Sequence, residues 1–162
     1  MLAGAGHLPG NVAGLTGYGA RMATFDDVVR LVNEMPEVTE GARFGNTTWF
    51  VSGKSFAWER PFSKADIKRF GDEIPPDGPI LAVSVADLGE KEAVLATASD
   101  AFFTIPHFDG YAAVLIQLQK VTKKDLRNAI IDAWFAQAPD HLADEYLTTK
   151  KPASAAPPRR RR

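Results

Sequence analysis

The chain has 162 residues, 45% of them hydrophobic, and a formal net charge of −1; it suits one domain with a real core plus tails. It has no cysteine, which excludes disulfides, thiolate catalysis and cysteine-rich zinc sites. It also has no apolar run near the roughly 20 residues that span a bilayer and no basic, apolar leader, so a cytoplasmic protein with no membrane partner is expected.

Met1 to Arg21 carry six glycines without periodicity and are expected to be a disordered extension. The domain is expected over residues 22–147. Thr24 and Asp27 form a capping box before a helix whose stripe is Val28, Leu31, Val32 and Met35, closed by Pro36. Thr47 to Val51 and Ser55 to Glu59 read as a hairpin turning at Ser52-Gly53-Lys54, because Gly53 tolerates positive φ. On a period of two, Trp49 shares a face with Val51, and Phe56 with Trp58.

Ser63 and Asp66 cap a short helix reaching about Phe70, a proline-rich loop follows, and Ile80 to Val85 is an apolar strand. Asp87 and Glu90 open a second main helix, with Leu88, Val94, Leu95 and Ala98 facing inward. Phe102 to Ile105 is a short strand. In the next, Val114, Ile116 and Leu118 alternate with Ala113, Leu115, Gln117 and Gln119, so its far half is expected on the open side of a sheet. Thr122 and Asp125 cap the last helix, where Leu126, Ala129, Ile130, Ala133 and Trp134 make one stripe before Pro139. Leu142 to Leu147 reads as one weak turn, and 148–162 as a disordered basic tail. The fold class is α+β, two layers, with a mostly antiparallel five-stranded sheet in the order α-β-β-β-α-β-β-α.

The pieces G-K-S-F-A (Gly53 to Ala57), T-I-P-H-F-D-G-Y (Thr104 to Tyr111) and D-A-W-F-A-Q-A-P (Asp132 to Pro139) resemble the MmcQ/YjbR family of small bacterial proteins. The resemblance runs from about Met22 to Leu147. It implies a topology similar to secretion chaperones, and a DNA-binding label that rests on analogy with a double-wing shape. It carries over no catalytic residue and no cofactor.

Candidate chemistry is sparse. Thr48 to Ser55 is similar to the end of a phosphate-binding loop, but Thr48 replaces its first glycine and a strand follows where a helix is required. His107 offers a general base or an anion contact; without a nucleophile or metal partners, it reads first as tying its turn together with Tyr111. Trp49 and Trp58 are divided between core packing and a pocket or stacking surface with His107 and Tyr111, whereas Trp134 reads as core.

Arg60, Lys64, Lys68 and Arg69 border the short helix, and Lys123 and Lys124 begin the last one. Each cluster is a solvated face or an anion contact. Residues 22–149 hold 12 basic and 20 acidic side chains, a net of −8, while Lys150, Lys151 and Arg159, Arg160, Arg161 and Arg162 make the end basic.

The expectation is a non-enzymatic nucleic-acid-binding protein without cofactor or metal. In it the arginine tail and the basic clusters touch phosphates and Trp58 stacks on bases. Its rival is a protein-interaction or chaperone-like adaptor that uses the open sheet face. A small-ligand pocket near His107 stands third.

Overall fold

Helices begin where their capping side chains stand in the computed structural model, which describes residues 23–150. Thr24 precedes α1 (Phe25–Val32) and Ser63 precedes α2 (Lys64–Phe70), each in a reciprocal capping box. Asp87 caps α3 (Leu88–Thr97), and Thr122 caps α4 (Lys123–Gln137), by accepting a backbone N–H three residues on. A final helix, α5 (Asp140–Lys150), replaces the weak turn expected over Leu142 to Leu147. Tyr146 on α5 packs 5.4 Å from the rings of both Trp134 and Phe135, a tertiary contact that local sequence does not announce. Residues 148–150, expected in the tail, are therefore helical. The remainder of the tail and the N-terminal extension lie outside the described residues. None of the helices among the described residues is long and apolar enough to cross a membrane.

The strands are β1 (Val38–Arg43), β2 (Asn46–Val51), β3 (Lys54–Glu59), β4 (Ile80–Ser84), β5 (Phe102–Phe103) and β6 (Ala113–Gln117). They form one sheet in the order β1-β2-β3-β4-β6-β5, with every neighbouring pair antiparallel. The α+β class stands as expected, with six strands rather than five. The additional strand, β1, reads V-T-E-G-A-R and is exposed along nearly its whole length. An edge strand with neither face buried shows no apolar alternation, so its sequence gives no period-two signal.

The sheet separates two apolar clusters. On the helix side, Trp49, Val51, Leu81, Val83, Val114 and Ile116 meet Val28, Val32, Leu126, Ile130 and Trp134. On the other side, Ile80, Ala82, Ala113 and Leu115 meet Ile105 and Phe108, with Trp58, Phe62, Phe70 and Phe103 around them. The expected open face is thus corrected: β4 and β6 are buried on both sides. Gln117 is polar because its amide donates to the backbone O (3.0 Å) and Oδ1 (3.1 Å) of Asp77, tying the proline-rich loop across the sheet.

A β-bulge corrects a second expectation. Trp49 pairs with Ala57 and Phe50 with Ser55, which leaves Phe56 unopposed. Phe56 and Ala57 then both enter the helix-side core, and Trp58, opposite Thr48 and Ala82, faces the other way. One extra residue reverses the alternation beyond it. Phe56 and Trp58 therefore do not share a face. Leu88, expected inward, is 48% exposed at the start of α3.

Candidate functional site: an aromatic cleft

The segment Thr104 to Tyr111 folds as a 3-10 turn over Pro106–Phe108, with Gly110 at φ 74° closing it. Its backbone is self-bonded: Phe108 N–H donates to Ile105 O (2.8 Å), Asp109 N–H to Pro106 O (3.0 Å) and Tyr111 N–H to Phe108 O (3.0 Å). What fastens it to the domain is Lys91, reaching from α3. Its Nζ donates to Phe108 O at 2.6 Å and to Tyr111 O at 2.8 Å, and the residue is only 7% exposed. Burial lowers the Lys91 pKa below the usual lysine range, with nearby Asp109 partly opposing the shift. The expectation that His107 and Tyr111 side chains tie this turn is corrected: among the described residues, neither side chain makes a hydrogen bond.

With the turn held, Phe108 is buried and Tyr111 half-exposed, and they build an aromatic wall with Trp58. Ring centroids lie 6.5 Å apart for Trp58 and Phe108, 6.2 Å for Trp58 and Tyr111, and 5.5 Å for Phe108 and Tyr111. This wall lines a cleft of about 690 Å³, together with Phe62, His107, Arg43, Arg60 and Phe44. Phe44 sits with Gly45 in the tight turn between β1 and β2, at φ 53° and 81°. Positive φ is natural for glycine, but costs a residue with a Cβ roughly 1–2 kcal/mol. Phe44 is also 90% exposed, so its ring is not packed in the core.

Two guanidiniums and no carboxylate line the cleft, although the surrounding domain is acidic. Arg60 lies 5.5 Å from the Phe108 ring centre, and Arg43 lies 5.7 Å from that of Phe44. Buried Asp66 fixes Arg60 at 2.9 Å and holds Arg69 at 3.6 Å. Burial alone would raise the Asp66 pKa. Hydrogen bonds from the Ser63 N–H and the Arg60 guanidinium, with the Arg60 charge, outweigh that and hold it below the ordinary carboxylate value. The side chains of Asn46, Trp58, His107 and Tyr111 add polar groups without a hydrogen-bond partner among the described residues. The surface suits a planar ring carrying acceptor or anionic groups.

The bulge and the turn bring Trp58, His107, Tyr111 and Arg60 together. Trp49 does not join them: it is 1% exposed in the helix-side core, its Nε1 donating to Glu40 Oε1 at 3.1 Å. Lys64 and Lys68 are exposed on α2, whose N-cap residue Ser63 lines the cleft beside Phe62. Lys123 and Lys124 begin α4 on the helix side, with Lys123 3.8 Å from Asp27. The basic residues thus divide between two sides of the molecule. Arg159 to Arg162 lie outside the described residues. Gly53-Lys54-Ser55 is a hairpin turn running into β3, with no helix to receive a phosphate. Sequence reasoning missed Arg43, Phe44, Phe62 and Lys91. A lysine within a helix reads as solvated, and only the turn's position reveals its partners.

A YjbR family model matches residues 33–136. Uncharacterized proteins of Mycobacterium bovis and Mycobacterium tuberculosis are each 44% identical over 129 residues, spanning 78% of this chain and 97% of theirs. A crystal structure of a Deinococcus radiodurans protein with a DUF419 domain aligns with 80% of this chain and 81% of that one, at 18% identity and a TM-score of 0.49.

Proposed function

The chain belongs to the YjbR family, and from that premise we propose that it is a non-enzymatic nucleic-acid-binding protein that takes unpaired bases into the aromatic cleft. The observation that supports this reading is one concave surface combining Trp58, Phe62, Phe108 and Tyr111 with Arg43 and Arg60 and no carboxylate. Stacking on such rings tolerates any base and is worth about 1–3 kcal/mol per base. Arg60 is held in place by Asp66 and acts as a fixed donor, while Lys64 and Lys68, four apart on α2, are free to meet phosphates. The terminal arginines add attraction that carries no sequence information. With a net of −8 over residues 22–149, binding is expected to be weak and salt-sensitive.

The adaptor reading loses the open sheet face it relied on, because the central strands are covered on both sides. What the sheet still offers it is the edges at β1 and β5.

Tryptophan fluorescence tests the proposal. Trp49 and Trp134 are buried, so quenching by an added oligonucleotide reports chiefly on Trp58. A single-stranded thymidylate 12-mer is expected to quench the emission at about 50 mM salt, where electrostatic association is strong. Trp58→Ala removes that reporter, so its binding is read from the fluorescence anisotropy of a dye-labelled 12-mer, and it should be about tenfold weaker, the loss of one stacked base. Absence of binding, or a duplex bound as tightly as the single strand, would overturn the reading.

A further inference from the structure

The other side of the sheet carries a second cleft, of about 560 Å³, between α3 and α4. Its floor is core: Val83 and Val114 are 2% and 1% exposed, and Phe102 closes one end. On α4, Asp125, Ala129, Asp132 and Ala136 recur at intervals of three or four and face the cleft; on α3, Glu90 and Val94, with the C-cap residue Ala98 after them, do the same. The apolar residues of α3 that should be packed, Val94 and Ala98, remain only half-buried here, because no protein group fills the space between the helices.

The charged groups in this cleft are of one sign, beside the neutral polar Ser84, Thr97, Ser99 and Asn128. Glu90, Asp125 and Asp132 line it, no basic residue does, and none of the three carboxylates has a hydrogen-bond or ion-pair partner among the described residues. Of the cations of α4, Lys123 lies 3.8 Å from Asp27 and Arg127 lies 2.9 Å from Glu34, while Lys124 is exposed and does not line the cleft. No three acidic or imidazole groups among the described residues converge closely enough to hold a metal ion. The arrangement therefore disfavours a compact metal ion and suits a charge carried on a larger body.

We propose that this second cleft binds an organic cation, an ammonium group on an apolar body, with Asp132 as its principal counter-ion. The apolar walls take the body, and a charge-assisted hydrogen bond to the carboxylate takes the head. Partial desolvation of its carboxyl raises the Asp132 pKa above the ordinary carboxylate value, although the residue as a whole is exposed, and the neighbouring charge of Glu90 raises it further, as expected for acidic groups that lack a counter-charge. This site is separate from the aromatic cleft and does not depend on its ligand.

The test is a titration of the isotopically labelled full chain with phenethylamine near pH 7, followed by amide chemical shifts. Phenethyl alcohol and 3-phenylpropanoate serve as neutral and anionic controls. The amine is expected to shift amides of Ser84 to Ala86 and Asp125 to Ala136. The alcohol should bind at least tenfold more weakly, and the acid should produce no shifts. Asp132→Asn, and independently Glu90→Gln, should each weaken the amine, the first by about tenfold. Either variant suffices if the other does not fold. Equal binding of amine and alcohol, shifts centred on Trp58 and Tyr111, no shifts at all, or full affinity in a folded Asp132→Asn variant would overturn the proposal.

Discussion

The two clefts lie on opposite sides of the same sheet, one over β1, β2 and β3 and the other over β4, β5 and β6, and they differ in the sign of the charge that selects a ligand. The one beside the 3-10 turn is walled by aromatic rings and rimmed by Arg43 and Arg60. The one between α3 and α4 is walled mostly by aliphatic residues, with Phe102 and Phe135 beside them, and lined by Glu90, Asp125 and Asp132. The difference teaches that the sign of charge in a concavity is decided by which helix face or turn lines it, and a net charge averages that information away. It also separates buried ions that are given partners from an exposed one that is not. Asp66 and Lys91 are given partners and serve as fasteners; Asp132 is left without one.

The largest expected effect tests the helix-side core. Trp134 is fully buried, with its Nε1 donating to Pro36 O at 3.0 Å. Trp134→Ala should lower stability by about 3–5 kcal/mol, read from a denaturant midpoint, whereas exposed His107→Ala should stay within about 0.5 kcal/mol of the parent. Equal midpoints for the two variants would break the core assignment.

Next comes Lys91→Met, which leaves the Phe108 and Tyr111 carbonyls without their ammonium donor, at about 1–3 kcal/mol. Oligonucleotide quenching of Trp58 should weaken with it, while phenethylamine affinity at the other cleft holds. Loss of both together would mean that the two clefts are not independent.

Asp66→Asn should cost about 1 kcal/mol by weakening the helix cap, with a characteristic pH signature. The folded pKa of Asp66 is depressed, so its contribution is present above the unfolded value and is lost as pH falls through the folded one. The difference in midpoint between parent and variant should therefore shrink in acid.

The smallest effect has the opposite sign. Asp132 has a raised folded pKa, so its ionisation costs stability as pH climbs from the unfolded value through the folded one. Asp132→Asn should raise the melting temperature slightly near neutral pH and lose that advantage in acid. A melting temperature lowered at neutral pH would remove the contrast with Asp66.

Much of the fold was legible because its signals are local. Thr24 with Asp27 and Ser63 with Asp66 satisfy N–H groups three residues away, so the chain itself specifies where those helices begin. The stripe from Leu126 to Trp134 likewise needs only helical periodicity to be seen. β1 was not legible, since a strand exposed on both faces carries no apolar alternation. Neither was α5, whose place depends on Tyr146 meeting Trp134 and Phe135. Of the aromatic site, Trp58, His107, Tyr111 and Arg60 could be picked out as residues of the right chemistry, but Trp49 could not be separated from them.

The sequence by itself determined the α+β class, the capped helix starts, the hairpin at Gly53 and the turn-forming segment Thr104 to Tyr111, because each depends on interactions within a few residues. Tertiary structure alone decided that a bulge at Phe56 sends Trp58 and Trp49 to opposite sides of the sheet. It also decided that Lys91 fastens the turn and that α3 and α4 leave an acidic gap between them. Those outcomes depend on strand register and on helix faces meeting across the fold, and a side chain's partner there is set by residues tens of positions away.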